Sequence, residues 1–466
     1  MNKIDQILKG KKGQLICGDC LKVLKTFPDN CIDTMITDPP GAISFMQKSW
    51  DNDKGGKWQW IEWLGEIFKE CYRVLKPGAI ILVWSIPRTS HYTALAIEEG
   101  GFQIYDCIYH IFGTGMSKSQ DISKMIDKKL GKERKVVGSK LGLPGYSLTD
   151  AENQGKSLGW GGSKRDGKKE CEITEPSSDL AKQFDDYKTV GLKPAAECWW
   201  LAMKPNDGTY VENIRKWGIG GLNIGNCLVE YEGFTDSRTF GGSWRTNKAA
   251  QKVYNGGYEG KNLIVNQKGR HPSNVITDGS EEVCSLFPNS EGQLAPSRSD
   301  GSSKTQKVYG KMNNAKEVHH PRQEKNLSAS RFYYKAKPSP TKKSQGCENL
   351  FWYKEKWSRD WQLISKEQYE IYQKENNGLG KKKNIVANGN IHETVKSIEL
   401  MKYFCKLTSP PSKGIVLDPF GGSGTTAIAA IKTGRKFIII EQEKNYNIIS
   451  ENRIKYWIKK VEGVQL

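Results

Sequence analysis

The chain has 466 residues, with 71 Lys and Arg against 52 Asp and Glu, and its formal net charge is +19. This length is enough for roughly two or three domains and a sizeable core. The charge excludes an acidic, nucleic-acid-repelling protein and favours a polyanionic partner, because counterion release drives such binding. A basic protein without a nucleic-acid partner would have the same composition, so charge alone does not decide.

Cysteine usage and hydropathy limit the compartment. The 11 cysteines are odd in number and irregularly spaced, which does not fit a disulfide framework. Cys17 and Cys20 have the spacing of half a zinc site, but no second pair completes it, so no metal is predicted. The N-terminal segment lacks an apolar signal sequence, and apolar runs such as 79–85 are too short for a bilayer. We expect a reduced, soluble, cytoplasmic protein with no membrane partner.

The N-terminal part of the chain alternates strand and helix patterns. The predicted elements are a strand at 14–17, a helical stripe at 21–27, a strand at 32–37, a helix at 58–75, a strand at 79–85, a helix at 92–99 and a strand at 102–112. This alternation predicts a mostly parallel sheet with helices on both faces.

The middle of the chain breaks this rhythm. Residues 113–190 are rich in Lys, Ser and Gly and are predicted to be a polar loop insertion. Residues 191–205 contain a short candidate strand that could return to the sheet. Residues 206–390 are rich in Gly, Asn, Ser, Lys and aromatics and show only short elements. We assign this last region to a separate, inserted lobe.

Alternation returns at the end of the chain. The predicted elements are a helix at 400–407, a strand at 414–417, a helix at 425–433, a strand at 436–441 and a helix at 446–457. Neither residues 1–112 nor residues 391–466 have enough strands to enclose a core alone. We therefore predict one doubly wound, Rossmann-like α/β sheet assembled from both chain ends.

Two loops follow predicted strands of this sheet, where open α/β sheets bind their ligands. The first is Asp38-Pro39-Pro40-Gly41. An exocyclic amine on a base is a poor nucleophile, and two acceptors on its N–H groups would draw the nitrogen toward sp³ geometry. The Asp38 carboxylate and the Pro39 carbonyl supply such acceptors, and the two prolines hold them in place. A merely stiffened turn accounts for these residues equally well.

The second loop contains Gly422-x-Gly424-x-x-Ala427 and opens a helix directly after a strand. Glycines let backbone N–H groups approach a ligand, and Glu441 at the end of the next strand could accept hydrogen bonds from ribose hydroxyls. A nicotinamide dinucleotide would suit the same pattern, as in an oxidoreductase. A tight turn with close helix–strand packing is the non-functional alternative.

The full loop resembles the cofactor motif of the β-type amino DNA methyltransferases of phage and prophage type, which use S-adenosylmethionine. The matching residues are Asp418, Pro419, Phe420, Gly421, Gly422, Ser423, Gly424, Thr425 and Thr426. The resemblance implies that Asp19 and Cys20 contact the adenine of the cofactor, and that Thr394 and Lys396 lie beside its methionine end. Two prolines of the family pattern are replaced here by Glu393 and Ser397.

The Asp-Pro-Pro loop resembles the catalytic motif of the same family, and Asp38, Pro39 and Pro40 would act on a base flipped out of the duplex. The family has an aromatic residue after this motif to stack on the base, whereas this chain has Gly41. We expect Phe45 or Trp50 to take over the stacking. Otherwise the chain is a catalytically impaired DNA-binding relative.

Segments of the middle region also resemble this family, in which target recognition lies between the two motifs. Arg270 and Arg331 are candidate readers of guanine, together with Arg245 and Arg322, and residues 381–383 are lysines suited to phosphates. Asp as the first motif residue is commoner in adenine-N6 than in cytosine-N4 enzymes. We therefore predict an adenine-N6 methyltransferase with DNA as its partner, and with a homodimer and a cognate restriction endonuclease as further candidate partners.

Overall fold

A computed structural model gives the protein's architecture. It describes residues 8, 12–44, 49–115, 119–141, 170–230, 269–290, 297–298, 318–319, 327–355, 360–378 and 384–463. Within these residues, nine strands form one sheet. In chain order they are β1 (Gly13–Cys17), β2 (Ile32–Thr37), β3 (Leu75–Ser85), β4 (Gln103–Ile111), β5 (Ala196–Met203), β6 (Val275–Thr277), β7 (Tyr334–Lys335), β8 (Ile415–Asp418) and β9 (Lys436–Glu441).

The spatial order of the strands is β1-β9-β8-β2-β3-β5-β4-β6-β7. All neighbours pair in parallel except β5, which runs antiparallel to both β3 and β4. Strands from the two chain ends therefore lie side by side, and β5 joins the same sheet. The prediction of an α/β, mostly parallel sheet built from both ends is confirmed.

Among the described residues, six helices lie against this sheet: α1 (Cys20–Leu24), α2 (Lys57–Val74), α3 (Ser90–Glu99), α4 (Ile398–Thr408), α5 (Thr425–Lys432) and α6 (Lys444–Glu462). Alternate residues of β9 show the two-sided packing. Ile438 and Ile440 belong to an apolar cluster with α2 and α3, whereas Phe437 and Ile439 belong to a second cluster with α4 and α5. Successive side chains of a strand point to opposite faces, so both faces of the sheet are buried.

The middle region contains more regular structure than its composition predicts. Residues 113–190, predicted as loop, include the helices Ile122–Lys129 and Asp179–Gln183 and the antiparallel pair Val136–Leu141 with Glu170–Thr174. The buried carboxylate of Asp127 accepts hydrogen bonds from Arg134 and Ser178, and this contact holds the segment together. Polar networks of this kind leave no hydrophobic periodicity in a sequence.

The region 206–390 contributes to the main sheet as well as to peripheral elements. The short strands β6 and β7 extend the sheet beyond β4. The peripheral elements are the helices Tyr210–Trp217, Glu281–Cys284 and Lys366–Gly378 and the strands Val229–Glu230, Gly269–Arg270, Asn289–Ser290, Ser297–Arg298, Val318–His319, Leu327–Ser328, Phe351–Glu355, Gln362–Ile364 and Asn384–Asn388. Among all described residues, no helix is long and apolar enough to cross a bilayer.

Candidate active site

The two aspartate loops lie at the carboxyl ends of adjacent strands. β8 pairs in parallel with β2, with Val416 opposite Thr34. Asp418 ends β8 and Asp38 directly follows β2. The hydroxyl of Thr37 donates a 2.7 Å hydrogen bond to Oδ1 of Asp418 and joins the two strand ends. Residues 380 positions apart in the chain therefore form one edge of the sheet, as the two motifs predict.

Asp418 is a buried carboxylate that organises its own loop. Its side chain accepts hydrogen bonds from the hydroxyl of Thr426 at 2.6 Å and from the backbone N–H of Phe420 at 3.1 Å. The residue is 3% exposed, and this burial raises the pKa of its carboxyl to about 6 despite the hydrogen bonds. Because water does not solvate the buried Asp418 carboxylate, a nearby cation would stabilise its ionised form.

The glycine-rich loop is tightly folded between β9 and the segment that precedes α4. Gly422 has a φ of 51° and Gly424 a φ of 74°, a backbone region that favours glycine. A Cβ atom on Gly422 would lie 2.8 Å from Nε2 of His392. The Gly422 N–H donates a 2.7 Å hydrogen bond to Oε2 of Glu441. Glycine is therefore required here for close packing, as well as for any approach of a ligand.

Glu441 ends β9 beside this loop. Its Oε1 accepts a 2.7 Å hydrogen bond from the Glu443 N–H, and its backbone carbonyl accepts one from the Gly18 N–H. Burial raises the pKa of Glu441 to about 7. The contact with Gly18 brings the predicted adenine segment to the same edge. There, the Asp19 carboxylate caps α1 through Lys22 N, and Cys20 is buried.

The two cysteines of the pair with zinc-site spacing lie in different environments. Cys17 is exposed and Cys20 is buried. Burial raises the pKa of the Cys20 thiol to about 12, which disfavours the thiolate that binds metal. Across the described ranges, no group of three or more His, Cys, Asp or Glu side chains is arranged to hold a metal ion.

Arg453 supports the loop from below, and sequence reasoning did not single it out. This fully buried guanidinium on α6 donates from Nη1 to the Ser423 carbonyl, to the Ser423 hydroxyl at 2.9 Å and to the Thr425 hydroxyl at 3.2 Å. The hydroxyls of Ser423 and Thr425, which are predicted cofactor contacts, are thus both engaged by Arg453. The backbone carbonyl of Ser423 is engaged as well, so Arg453 fixes the conformation of this part of the loop.

The segment 390–397 lies across the glycine loop. The rings of His392 and Tyr446 have centroids 4.4 Å apart, and the Tyr446 hydroxyl donates a 2.9 Å hydrogen bond to Glu393. Ser397 caps α4 by accepting from Leu400 N. The two residues that replace family prolines are therefore both used to fix this segment. Thr394, a predicted cofactor contact, is exposed, and its N–H donates to Nδ1 of His392.

Lys396, the other predicted contact of this segment, reaches the Asp-Pro-Pro loop instead. Its Nζ lies 3.0 Å from Oδ2 of Asp38, 3.9 Å from the centroid of the Trp84 ring and 3.8 Å from Oε1 of Glu197. Burial raises the pKa of Asp38 to about 6, and the Lys396 ammonium opposes that increase. The structure thus places Lys396 against the proposed amine acceptor, a contact that the sequence did not predict.

Gly41 and Trp50 are the two base-pocket candidates that lie within the described residues. The Gly41 N–H donates to Oδ1 of Asp51, and the Gly41 carbonyl accepts from the Thr89 hydroxyl at 2.6 Å. Trp50 packs against an apolar cluster that includes Trp352 and Tyr446. Trp50 is therefore part of a packed core in this structure, rather than a free stacking platform. Phe45 lies outside the described residues.

Two candidate DNA contacts of the middle region, Arg270 and Arg331, lie within the described residues. Nη1 of Arg331 donates a 2.9 Å hydrogen bond to the Ser328 carbonyl, and its guanidinium lies 4.3 Å from the centroid of the Phe332 ring. These contacts suit a packed local turn as well as a DNA contact. Arg270 lies in the strand Gly269–Arg270. Arg245, Arg322 and residues 381–383 lie outside the described residues.

The sequence profile of a DNA methylase family, N6_N4_Mtase, matches residues 32–139 and 239–452 of the chain. These two segments cover more than half of the 466 residues and include both aspartate loops. The chain belongs to this family of N6-adenine and N4-cytosine DNA methylases, whose cofactor is S-adenosylmethionine.

Individual relatives match shorter segments. The type II methyltransferase M.BamHI of Bacillus amyloliquefaciens is 35% identical over 80 residues, which cover 17% of this chain and 19% of the relative. M.HpaI of Haemophilus parainfluenzae is 30% identical over 115 residues, covering 24% of this chain and 36% of the relative. The chain thus spans well under half the length of these curated relatives.

Two solved DNA methyltransferase structures show distant similarity to this chain. A superposition on the cytosine-N4-specific PvuII DNA methyltransferase covers 97% of this chain and 93% of that chain, at 14% identity and a TM-score of 0.36. The complex of M1.HpyAVI with its SAM ligand gives 13% identity and a TM-score of 0.31. Values this low transfer neither base preference nor residue roles.

The residues present fit the family's cofactor. S-adenosylmethionine carries a ribose diol and a cationic sulfonium. Glu441 is a buried carboxylate held by two backbone N–H groups, and it retains further acceptor capacity for hydroxyls. Asp418 and Glu441 are both buried acids with raised pKa values, and a cation beside them would favour their ionised forms. The donor and acceptor set therefore suits this ligand.

Proposed function

We propose that this protein transfers the methyl group of S-adenosylmethionine to an exocyclic amine of a DNA base, with adenine N6 preferred over cytosine N4. The observation that carries the proposal is the adjacency of Asp38 and Asp418 at the ends of neighbouring strands, linked through Thr37. A loop suited to accept an amine thus lies directly beside a loop suited to bind the cofactor.

On this proposal, each loop has a separate task. When bound, S-adenosylmethionine supplies an activated methyl group on its sulfonium. The Asp38 carboxylate and the Pro39 carbonyl accept hydrogen bonds from the target amine and orient its lone pair toward that methyl. Asp418, Glu441 and the segment Gly421–Gly424 would hold the cofactor in line with the amine, and this proximity supplies much of the rate acceleration.

The adenine preference rests on the type of the first motif residue. Asp38 offers a carboxylate, which accepts two hydrogen bonds and carries a negative charge, whereas a serine would offer a neutral hydroxyl. Asp is commoner than Ser at this position in adenine-N6 enzymes, according to the family resemblance. The phage-type relationship and a cognate endonuclease stay predictions.

Nucleoside mass spectrometry on DNA from a methylation-deficient host that expresses the protein tests this function. N6-methyladenine is the expected product. N4-methylcytosine would retain the chemistry and overturn the base preference. Folded protein that binds DNA but yields neither product would favour a catalytically impaired DNA-binding relative, the alternative that Gly41 raises.

Two variants test whether the Asp38 loop acts on the amine and the Asp418 loop binds the cofactor. Asp38→Ala is expected to abolish methylation and to leave cofactor affinity within about threefold, because Asp38 acts on the amine. Asp418→Asn is expected to weaken cofactor binding directly. Calorimetric titration with S-adenosylmethionine separates the two cases. Loss of cofactor binding in Asp38→Ala would assign Asp38 to the wrong half of the site.

A further inference from the structure

A second group of charged side chains lies beside Asp38, on the segment that precedes α4 and on the strands β4 and β5. The Lys396 ammonium lies between two carboxylates, 3.0 Å from Asp38 and 3.8 Å from Glu197. Only 11% of the Lys396 side chain is exposed, and the ring of Trp84 covers its ammonium. One nearly buried cation is thus shared by two anions.

His110 stands behind Glu197 on the next strand. The register of β4 and β5 places His110 directly opposite Glu197, and Nδ1 of the ring lies 3.7 Å from Oε2 of Glu197. His110 is 9% exposed. Burial alone raises the pKa of Glu197, but Lys396 and His110 outweigh that effect and lower it to about 2. Glu197 is therefore an anion over the whole neutral range.

The shared ammonium bears on how a target amine could bind. Asp38 has to accept a hydrogen bond from that amine, yet its Oδ2 already accepts from Lys396, so only Oδ1 is open to the amine unless Lys396 moves. A charge-assisted bond is stronger than a bond from a neutral amine, so displacing Lys396 would be costly without another acceptor. Glu197 is such an acceptor, and a shift of roughly 1 Å would bring Lys396 to normal hydrogen-bond distance from it.

We propose that Glu197 is a positioning residue that shares the Lys396 ammonium with Asp38, so that the target amine can displace Lys396 from Asp38 onto Glu197. This inference rests on the proposed methyl transfer. On this inference, Glu197 touches neither the base nor the cofactor and acts only through Lys396, and His110 faces it from the neighbouring strand β4. In the free protein, Lys396 keeps the Asp38 carboxylate ionised and ready to accept.

Two variants that remove opposite charges test the sharing. The groups that face Asp38 are Lys396, Glu197 and Asp418, and burial raises its pKa to about 6. Lys396→Met removes the cation, so Asp38 should need a higher pH to ionise. Glu197→Gln removes an anion and leaves Lys396 to Asp38 alone, so Asp38 should ionise at a lower pH. We expect shifts of roughly one pH unit in opposite directions.

Glu197→Gln should also raise the KM for DNA by on the order of tenfold, because Lys396 then has no second carboxylate to accept it. Glu197→Asp keeps the negative charge. In the pH profile of kcat/KM, we expect this variant to lose activity on the acid side at nearly the same pH as the wild type. Glu451→Gln removes a carboxylate that pairs with Lys455 on the exposed face of α6 and serves as the matched control. Shifts in the same direction for both charge-removing variants, or no shift in either, would overturn the sharing.

A measurement independent of turnover separates this inference from the proposed function. The carboxyl of Asp38 can be titrated by ¹³C NMR in aspartate-labelled protein, with its signal assigned through Asp38→Asn. Opposite shifts of its midpoint in Lys396→Met and Glu197→Gln, in protein that transfers no methyl group, would support the sharing and refute the function. An active wild type with midpoints that move together would refute the sharing and support the function.

Discussion

Replacing Gly41 with Tyr would supply the aromatic side chain that this position lacks, and the structure has room for its Cβ atom. A Cβ atom on Gly41 would lie 3.6 Å from Cδ1 of Ile86, 3.7 Å from Oδ1 of Asp51 and 3.7 Å from Cγ1 of Ile43. These are ordinary contact distances, and Gly41 is not among the glycines with a positive φ. The hydrogen bonds of its N–H and carbonyl are made by the backbone, so a side chain leaves them intact.

The gain from this change follows from base stacking. Stacking on an aromatic ring contributes about 1–3 kcal/mol per base. Ordering the new side chain costs up to about 1 kcal/mol, so a net gain near 1.4 kcal/mol, or about tenfold, is expected. We expect Gly41→Tyr to bind unmethylated DNA about tenfold more tightly in the presence of the product S-adenosylhomocysteine, and to raise single-turnover methylation.

Gly41→Ala is the matched control for this prediction, because it adds the Cβ atom without the ring. It should bind DNA within about twofold of the wild type, since its contacts are ordinary van der Waals distances. Fluorescence anisotropy with labelled duplexes measures both variants. Equal affinity of the Tyr and Ala variants would refute the idea that a missing stacking platform limits base binding at this position.

Two further predictions concern the cofactor loop. Gly422→Ala should weaken S-adenosylmethionine binding by at least tenfold, because the new Cβ atom would lie 2.8 Å from His392 and the φ of 51° strains alanine. Gly221→Ala is the control, because its new Cβ atom would meet no atom within 4 Å. Unchanged affinity of Gly422→Ala in calorimetry would contradict this prediction. Affinity for S-adenosylmethionine should also fall as the pH drops through about 7 and then about 6. Burial raises the pKa of Glu441 and Asp418 to these values, and protonation removes the negative charges that favour a cationic ligand. An affinity that stays constant across this pH range would exclude a role of these two carboxylates in cofactor binding.

The sheet was predictable from the sequence because its strands are long, apolar and followed by amphipathic helices. The strands β2 and β9 begin and end at the predicted residues. The strands β6 and β7 were missed since they have only three and two residues, too few for a period to appear. The segment 113–190 was assigned to loop because its order comes from a buried polar network around Asp127, which composition does not report.

The sequence predicts the position of those candidate site residues that lie at the ends of strands, but not of the others. Asp38, Asp418 and Glu441 all end or follow predicted strands, so their meeting at one edge follows from topology. The contact of Lys396 with Asp38 and Glu197 depends on how a loop crosses that edge, and no local pattern encodes it. Glu197 carried one available signal, a carboxylate at the start of an otherwise apolar strand.

The strand order has a consequence for synthesis of the protein. Strands β1 and β2 are consecutive in the chain but are separated in the sheet by β8 and β9, which are made much later than both. During synthesis, the two places between β1 and β2 therefore stay empty, and the strand edges beside them stay unpaired, until residues 415–441 leave the ribosome. Closing that gap brings together groups such as Asp33 and Ile415 N, whose 2.7 Å hydrogen bond spans 382 positions. When β8 and β9 enter the sheet, they also position the glycine-rich loop that follows β8. A chain truncated before β8 would lack these strands and this loop, and chaperones and proteases could bind its unpaired strands.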